Sequence, residues 1–229
     1  MIITSVTNNQ IVKSFVGKDH QQLKFSPSSK FLVSQHPVHD LQSLASVIGG
    51  LETEPTKAVL RGLPLLPENE PIARQSQNFS SISHHWCMID IDSLAWDGDL
   101  HDHKAMLEYA SCQLPPEFQH TDFWYHFSSS MGIKAGIRVH LWYWLEGPCS
   151  DTEMKAWLSG CPVDLRLFNP TQIHLTTNPQ FMEGATDPYP NRSGMFEAGH
   201  QITTVAVPDD LESRAVSVVR VFGTKGGLN

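Results

Sequence analysis

The chain has 229 residues, of which 40% are hydrophobic and 17% charged, so it can bury a core and lacks the composition of a disordered protein. Its 16 basic and 24 acidic residues give a net charge of −8, which argues against tight non-specific binding to duplex DNA but allows nucleic acid at a small, locally basic site. The four cysteines form no Cys-x-x-Cys pair, so no zinc is expected. Without a signal peptide or a membrane-spanning apolar run, the sequence predicts a cytoplasmic protein with no membrane contact.

The first third of the chain has the pattern of extended segments around one helix. The helix is the clearest element, because apolar residues recur at helical spacing after the capping residue Asp40, and Gly49-Gly50 is expected to end or fray it. A polar, proline-containing stretch then predicts a long loop. The expected elements are extended segments at Gln10–Val16, Lys30–Val33 and Ala58–Leu60, the helix at Asp40–Leu51 and the loop at Gly62–Ser83.

The remainder of the chain alternates apolar strand patterns with helical ones, which predicts an α+β protein with an antiparallel or mixed sheet. The predicted strands are Trp86–Asp92, Asp122–Ser128, Ile137–Leu145 and Gln172–Thr176, and the predicted helices are His103–Cys112 and Thr152–Leu158. In the tail, the expected elements are strands at Gln201–Val207 and Ser217–Phe222 and a helical turn at Asp209–Arg214.

Three of these strands have one apolar side and one side that carries chemistry. Side chains alternate across a strand, so in Trp86–Asp92 the two aspartates share one face and the apolar residues share the other. The strands Ile137–Leu145 and Gln172–Thr176 divide in the same way, with Arg138, His140, Gln172 and His174 on the polar side. If the three strands pair in one sheet, their polar sides converge on a single open face.

Asp90 and Asp92 are the first candidate site residues. Two carboxylates on one strand face lie roughly 7 Å apart and repel each other, and a divalent cation between them relieves that repulsion. The alternative is a strand end with solvated acids. Asp164, in Pro162-Val163-Asp164-Leu165, is a candidate third acid, and a helix cap is an equally good interpretation of it from the pattern alone.

A serine- and glycine-rich segment before the strand at Ile137 predicts a phosphate-binding loop. Ser129 and Ser130 can donate hydrogen bonds to phosphate, and Lys134 and Arg138 add positive charge. His140 follows on the same strand face as Arg138. A histidine in a strand is more often a packed core residue, so the preceding loop is what favours a functional role.

Other polar and aromatic residues are weaker candidates. Gln172, His174 and Asn178 could line the same pocket or be ordinary strand and turn residues. Arginines at 61 and 74 could reach phosphate or template, although solvated surface arginines are more common. The tryptophans at 142 and 144 could stack on bases if exposed, although core packing is the more usual role of tryptophan.

The order of three motifs resembles the archaeo-eukaryotic primase superfamily, and in particular the primase domains of plasmids, phages and integrated mobile elements. The motifs are hydrophobic-Asp-x-Asp at Ile89–Asp92, a Ser/Gly loop leading to Arg138–His140, and hydrophobic-Asp at Val163-Asp164. The similar stretches are Trp86–Asp92, Ser128–Leu145 and Phe168–Phe181. The superfamily often has a small hydroxyl residue two before the histidine, where this chain has Arg138.

The resemblance implies an RRM-like catalytic core at residues 81–229, with helices on one face, and an N-terminal α/β subregion at 1–80, together forming one catalytic domain over 1–229. It implies two Mg²⁺ or Mn²⁺ ions bound by Asp90, Asp92 and Asp164, with His140 on the phosphates of an incoming NTP or dNTP. The expected activity is DNA primase and polymerase activity on single-stranded DNA in the replication of a mobile element, with the template along the open sheet face. A replicative helicase is a candidate partner.

Two alternatives stay open from the sequence. The first is a metal-dependent single-strand endonuclease of the replication-initiator type, which needs a His-x-His pair on a strand and a helical tyrosine. This chain offers no such pair and only Tyr109. The second is a non-catalytic nucleic-acid-binding module derived from a primase, which the acidic charge and the intact acids disfavour.

Overall fold

The computed structural model describes residues 1–24, 28–68 and 70–216. Its helices include α1 (Leu41–Leu51), α2 (His103–Ser111), α3 (Pro116–Gln119) and α4 (Asp151–Trp157), with 3-10 helices at Ser76–Asn78 and Leu165–Phe168. Its strands are β1 (Ile2–Thr7), β2 (Ser14–Val16), β3 (Gln21–Gln22), β4 (Lys30–Pro37), β5 (Lys57–Leu60), β6 (Leu63–Pro64), β7 (Ile72–Ala73), β8 (Phe79–Ser80), β9 (His84–Leu94), β10 (Phe123–Phe127), β11 (Ile137–Cys149), β12 (Ile173–His174), β13 (Gln180–Met182) and β14 (Ser193–Phe196). None of the helices in these ranges is long and apolar enough to cross a membrane.

A four-stranded antiparallel sheet, here the central sheet, has the strand order β14-β10-β11-β9. Apolar residues on alternate positions of its strands pack under α2, α3 and α4, as Ile89, Leu141, Met106, Phe118 and Trp157 illustrate. This arrangement follows from period-two strands that bury one face beneath amphipathic helices. The predicted α+β fold class is therefore confirmed, with helices on one face of an antiparallel sheet.

The N-terminal sheet has the strand order β12-β5-β1-β4-β7 and is also antiparallel. Helix α1 packs against it and against the central sheet, so Leu44 and Ile48 share one core with Trp86 and Trp142. As predicted, Asp40 caps α1 by accepting a hydrogen bond from the Ser43 N–H. The helix ends at Leu51, as predicted, and Gly49-Gly50 lies within its last turn because the buried apolar face extends to Leu51.

The predicted pairing of three polar-sided strands in one sheet is wrong for the third strand. Strands β9 and β11 pair along their length, but β12 is short and pairs with β5 at the edge of the N-terminal sheet. The 81–229 subregion therefore gives one strand to the sheet built mostly by the 1–80 subregion. The division of the chain at residue 80 stays a prediction.

Several local predictions differ from the structure. The extended segment predicted at Gln10–Val16 is a strand only from Ser14, and the loop predicted at Gly62–Ser83 contains β6, β7, β8 and a 3-10 helix. The predicted strand Gln201–Val207 is absent from the described residues, since only Val205 forms an isolated bridge, with Leu145. Residues 211–216 are helical, close to the predicted turn, and Ser217–Phe222 lies outside the described residues.

Arg61 joins the two sheets from within the core and is neither a surface nor a phosphate-binding residue. Its guanidinium, 1% exposed, donates to Asp151 Oδ1 at 2.6 Å and to the carbonyls of Trp86 and Cys149 at 3.0 and 2.9 Å. Ser81 donates to the other oxygen of Asp151. A buried charge is tolerable when it is paired and hydrogen-bonded in this way.

Candidate active site

The polar face of the central sheet is divided into two halves along β9 and β11. Side chains alternate as predicted, and the strand register sets His140 opposite Asp90 and Arg138 opposite Asp92. Further along the same strands, Trp142 lies opposite Met88 and is fully buried under α1 and the N-terminal sheet. The face is therefore not open along its whole length, and the sequence-based expectation that template lies along it is wrong for the covered half.

The uncovered half forms an open pocket of about 220 Å³. This volume is smaller than the roughly 300–1,000 Å³ that encloses a whole drug-sized ligand, so the pocket can enclose part of a nucleotide rather than all of it. The pocket brings the predicted acids and the predicted phosphate loop together. The residues that line it are Lys13, Met88, Asp90, Asp92, Ser128, Ser129, Ser130, Lys134, Arg138, His140, Asp164, Leu167, Gln172, Ile173 and Leu175.

Asp90 is the most perturbed acid of the pocket. Burial, followed by repulsion from Asp92 and Asp164, raises the pKa of its carboxyl to about 7. The positive charges of Lys13 and Arg138 offset only part of that increase. A carboxyl whose ionised form is this unfavourable can be stabilised as an anion by a bound cation.

Asp92 and Arg138 form a hydrogen-bonded ion pair beside a β-bulge. Ile137 lies opposite Leu94 and Arg138 opposite Asp92, so Ser93 is the extra residue of β9, and its φ of +72° lies in the left-handed region. Arg138 donates to Asp92 Oδ1, to Ser93 Oγ at 2.6 Å and to the Ala135 carbonyl at 3.3 Å. Bulges of this kind commonly redirect side chains next to functional sites.

Asp164 combines both interpretations that its sequence context left open. It caps the 3-10 helix Leu165–Phe168 through the Arg166 N–H, and it also lines the pocket. Its own N–H donates to the Asp90 carbonyl at 3.1 Å, which fixes it beside the first acid. The Arg166 guanidinium grips both carboxylate oxygens and lowers the pKa of Asp164.

The three aspartates suit a divalent cation by chemistry, since carboxylate oxygens are the preferred ligands of Mg²⁺ and Mn²⁺. The mutual repulsion that raises the pKa of Asp90 is the property that a cation would relieve. In the side-chain positions described, however, no three His, Cys, Asp or Glu side chains form a group that could hold a metal ion. Asp92 and Asp164 are instead turned toward arginines.

His140 is a buried, neutral imidazole at neutral pH. Burial, followed by the positive charge of Lys13, lowers the pKa of its ring to about 4. Its Nε2 lies 3.6 Å from Asp90 Oδ1, which is too far for a hydrogen bond, and the Leu175 backbone interacts with the same ring. On the neighbouring strand the His126 ring lies 5.9 Å away and contacts Asn178 Oδ1 at 2.9 Å.

The predicted serine loop lies beside Arg138, because the Ser128 N–H donates to the Arg138 carbonyl at 2.8 Å. The serines at 128, 129 and 130 are buried and line the pocket. Gly132, with φ of +77°, allows the turn that brings the loop back toward β11. The buried Arg192 donates to the Ser128 carbonyl at 2.8 Å and is held in turn by Asp187, so the base of the loop is fixed. Lys134 is exposed at its rim.

Of the weaker candidate site residues, only one lines the pocket. Gln172 lines the pocket, but His174 does not: it is fully buried, its Nε2 contacts the Leu167 carbonyl at 3.0 Å, and its pKa is lowered to about 3. The reason is that β12 belongs to the N-terminal sheet, so the packing of that sheet decides which of its side chains are buried. The tryptophans at 142 and 144 are core residues, Asn178 supports His126, and Arg74 donates to the Thr171 carbonyl at the surface.

Some lining residues were not predicted. Lys13 comes from the segment before β2, and the apolar residues Met88, Leu167, Ile173 and Leu175 complete the pocket. No local pattern distinguishes Lys13 from a surface lysine, because its position depends on the packing of two sheets. The endonuclease alternative would require Tyr109 as its nucleophile. Tyr109 lies on α2, packs against Trp96 and does not line the pocket.

Comparison with known proteins gives two phage proteins. No family profile matches the chain. The chain is 26% identical over 176 residues to a putative replication origin binding protein of Escherichia phage T5, and the match covers 66% of this chain but only 18% of that much longer protein. A solved structure, the AEP domain of the cyanophage S-2L primase-polymerase, is similar over 94% of this chain and 88% of its own, with 11% identity and a TM-score of 0.37.

Proposed function

We propose that this chain is a primase-polymerase domain that joins nucleotides on a single-stranded DNA template by metal-dependent nucleotidyl transfer. The observation that supports this most strongly is a single pocket that combines three aspartates with a serine loop, a buried neutral histidine and three cationic side chains. The sequence motifs and the name of the phage T5 relative agree with a role in replication.

Asp90, Asp92 and Asp164 would hold Mg²⁺ or Mn²⁺, which when bound supplies charge neutralisation at the reacting phosphate and lowers the pKa of the attacking 3′-hydroxyl. The reaction forms a bond between that hydroxyl and the α-phosphorus and breaks the bond to pyrophosphate. The hydroxyls of Ser129 and Ser130 can donate to phosphate oxygens, and Lys134 can neutralise the leaving pyrophosphate.

His140 and Arg138 have different roles in this proposal. His140 is neutral at pH 7, so it would orient a phosphate oxygen as a neutral donor and not as a cation. Arg138 uses three of its five N–H donors on Asp92, Ser93 and Ala135, and in this proposal it would release Asp92 to the metal ion and turn to a phosphate. Gln172 also lines the pocket, where it could contact the sugar or the base.

The test is synthesis from labelled ribo- or deoxynucleotides on unprimed and primed single-stranded DNA with Mg²⁺ or Mn²⁺. The proteins compared are the wild type, Asp90→Ala/Asp92→Ala and the control Asp97→Ala, which removes an exposed acid outside the pocket. We expect metal-dependent products from the wild type and the control, and at least about a 1,000-fold loss in the double variant. Products retained by the double variant would contradict the proposal.

A second candidate is a non-catalytic module that binds single-stranded DNA. It is favoured by the pairing of two of the three acids with arginines and by the name of the T5 relative. It predicts DNA binding without any product on primed or unprimed template. Filter binding at several salt concentrations, run beside the synthesis assay, separates the two functions.

A further inference from the structure

Lys13 is a cation that the N-terminal subregion places in the pocket. Its backbone is fixed, because its carbonyl accepts the Gln180 N–H at 3.0 Å and its neighbours Val12 and Ser14 are buried. Strand β2, which begins at Ser14, is also held in register by β13. The lysine therefore has a defined position on the wall that faces the central sheet.

The ammonium of Lys13 is half-buried without an ion-pair partner. Among the residues that the structure describes, it makes no direct ion pair, and the negative charges of Asp90 and Asp92 lie near enough to stabilise it only in part. Burial lowers the pKa of Lys13, the carboxylates of Asp90 and Asp92 offset part of that lowering, and the charges of Lys134 and Arg138 lower the pKa further. A partly desolvated cation without a direct ion-pair partner is stabilised by an anion that enters the pocket.

We propose that Lys13 binds the triphosphate tail of the incoming nucleotide in the pocket that it shares with the serine loop. The inference rests on the proposed function and adds a substrate-binding residue outside the sequence motifs. Three cationic side chains, Lys13, Lys134 and Arg138, lie near enough to influence one another. Three positive charges in one pocket complement the several negative charges of a triphosphate better than the single negative charge of a phosphodiester. The triphosphate would then bridge the N-terminal subregion and the central sheet.

The consequence is discrimination by phosphate number. In this proposal the phosphates beyond the α-phosphate contact Lys13, whereas the single phosphate of a nucleoside monophosphate stays at the serine loop. Removing the ammonium should therefore weaken triphosphate binding about 10- to 100-fold, the usual loss for one charge-assisted contact, and leave monophosphate binding nearly unchanged.

The experiment measures the dissociation constants of a non-hydrolysable nucleoside triphosphate analogue and of the matching monophosphate, with Mg²⁺, by calorimetry. The variants are Lys13→Met, which keeps the length of the side chain, Lys13→Arg, which keeps the charge, and the control Lys18→Met, an exposed lysine outside the pocket. Lys13→Arg should retain triphosphate affinity within a few-fold, and Lys18→Met should match the wild type. Equal thermal unfolding of the two methionine variants shows that both fold.

Wild-type triphosphate affinity in Lys13→Met would overturn the inference. So would unchanged triphosphate affinity with tighter Mn²⁺ binding, which would make Lys13 only a counter-charge for the acids. If the wild type binds triphosphate through Lys13 but makes no product, the inference stands and the proposed polymerase activity fails. If product forms and Lys13→Met binds triphosphate normally, the polymerase activity stands and the inference fails.

Discussion

One face of the central sheet has two halves that differ in what covers them. In the covered half, Trp86 and Trp142 are fully buried beneath α1 and the N-terminal sheet. In the other half, on the same two strands, Asp90 and His140 line a pocket. The strand pattern is the same in both halves, so the difference comes from where the N-terminal subregion packs. A sheet face becomes a core or a site according to its neighbours.

Trp142→Ala tests whether the covered half of the sheet is a packed core. Because the side chain is fully buried, we expect a loss of about 3–5 kcal/mol in the free energy of unfolding, from lost packing and the cavity left behind. Urea denaturation measures it. A loss below about 1 kcal/mol would mean that this half is not a true core.

Arg61→Met tests the link that holds the N-terminal subregion over the covered half. It leaves Asp151 buried without its ionic partner, so the free energy of unfolding should fall by about 3–5 kcal/mol. The double variant Arg61→Met/Asp151→Leu removes both charges and should recover most of that loss in the same denaturation experiment. No recovery would mean that hydrogen bonds to the Trp86 and Cys149 carbonyls, and not the ion pair, make the link.

The sequence predicted the pocket better than it predicted its surroundings. Alternation on β9 and β11 is a local property, so Asp90, Asp92 and His140 could be assigned to one face before the structure was known. The covering of Trp142, the burial of His174 and Arg61, and the entry of Lys13 depend on contacts between distant segments, and no local pattern encodes these. Asp164 is intermediate, because its capping role is local but its place beside Asp90 is not.

His140→Ala tests whether the uncovered half of the sheet is a functional site. If His140 donates to phosphate, turnover in the synthesis assay should fall about 100- to 1,000-fold, as for other lost donors to developing charge. His140→Gln keeps a neutral donor and should retain more activity than His140→Ala. Because the pKa of His140 is about 4, its protonation should not shape the activity between pH 6 and 8. Full activity in His140→Ala would remove the histidine from the site.

Asp90→Asn is the mildest test and uses the pH dependence of stability with metal removed by chelation. The folded-state pKa is raised to about 7, so the folded chain holds a proton that the unfolded chain has lost, and stability falls as pH rises from about 4 to 7. From pH 5 to pH 8 the wild type should lose about 2–4 kcal/mol more than Asp90→Asn. Asp97→Asn should follow the wild type. Parallel curves for wild type and Asp90→Asn would show that Asp90 is not perturbed.

The most direct test of the pocket as a nucleotidyl-transfer site is a crystal structure with Mn²⁺ and a non-hydrolysable nucleoside triphosphate analogue, with anomalous diffraction recorded for manganese. We predict manganese density among Asp90, Asp92 and Asp164, Arg138 released from Asp92, and phosphates against Ser129, Ser130 and His140. Bound analogue elsewhere on the chain, or arginines still paired with Asp92 and Asp164 and no manganese between the acids, would contradict the proposed function.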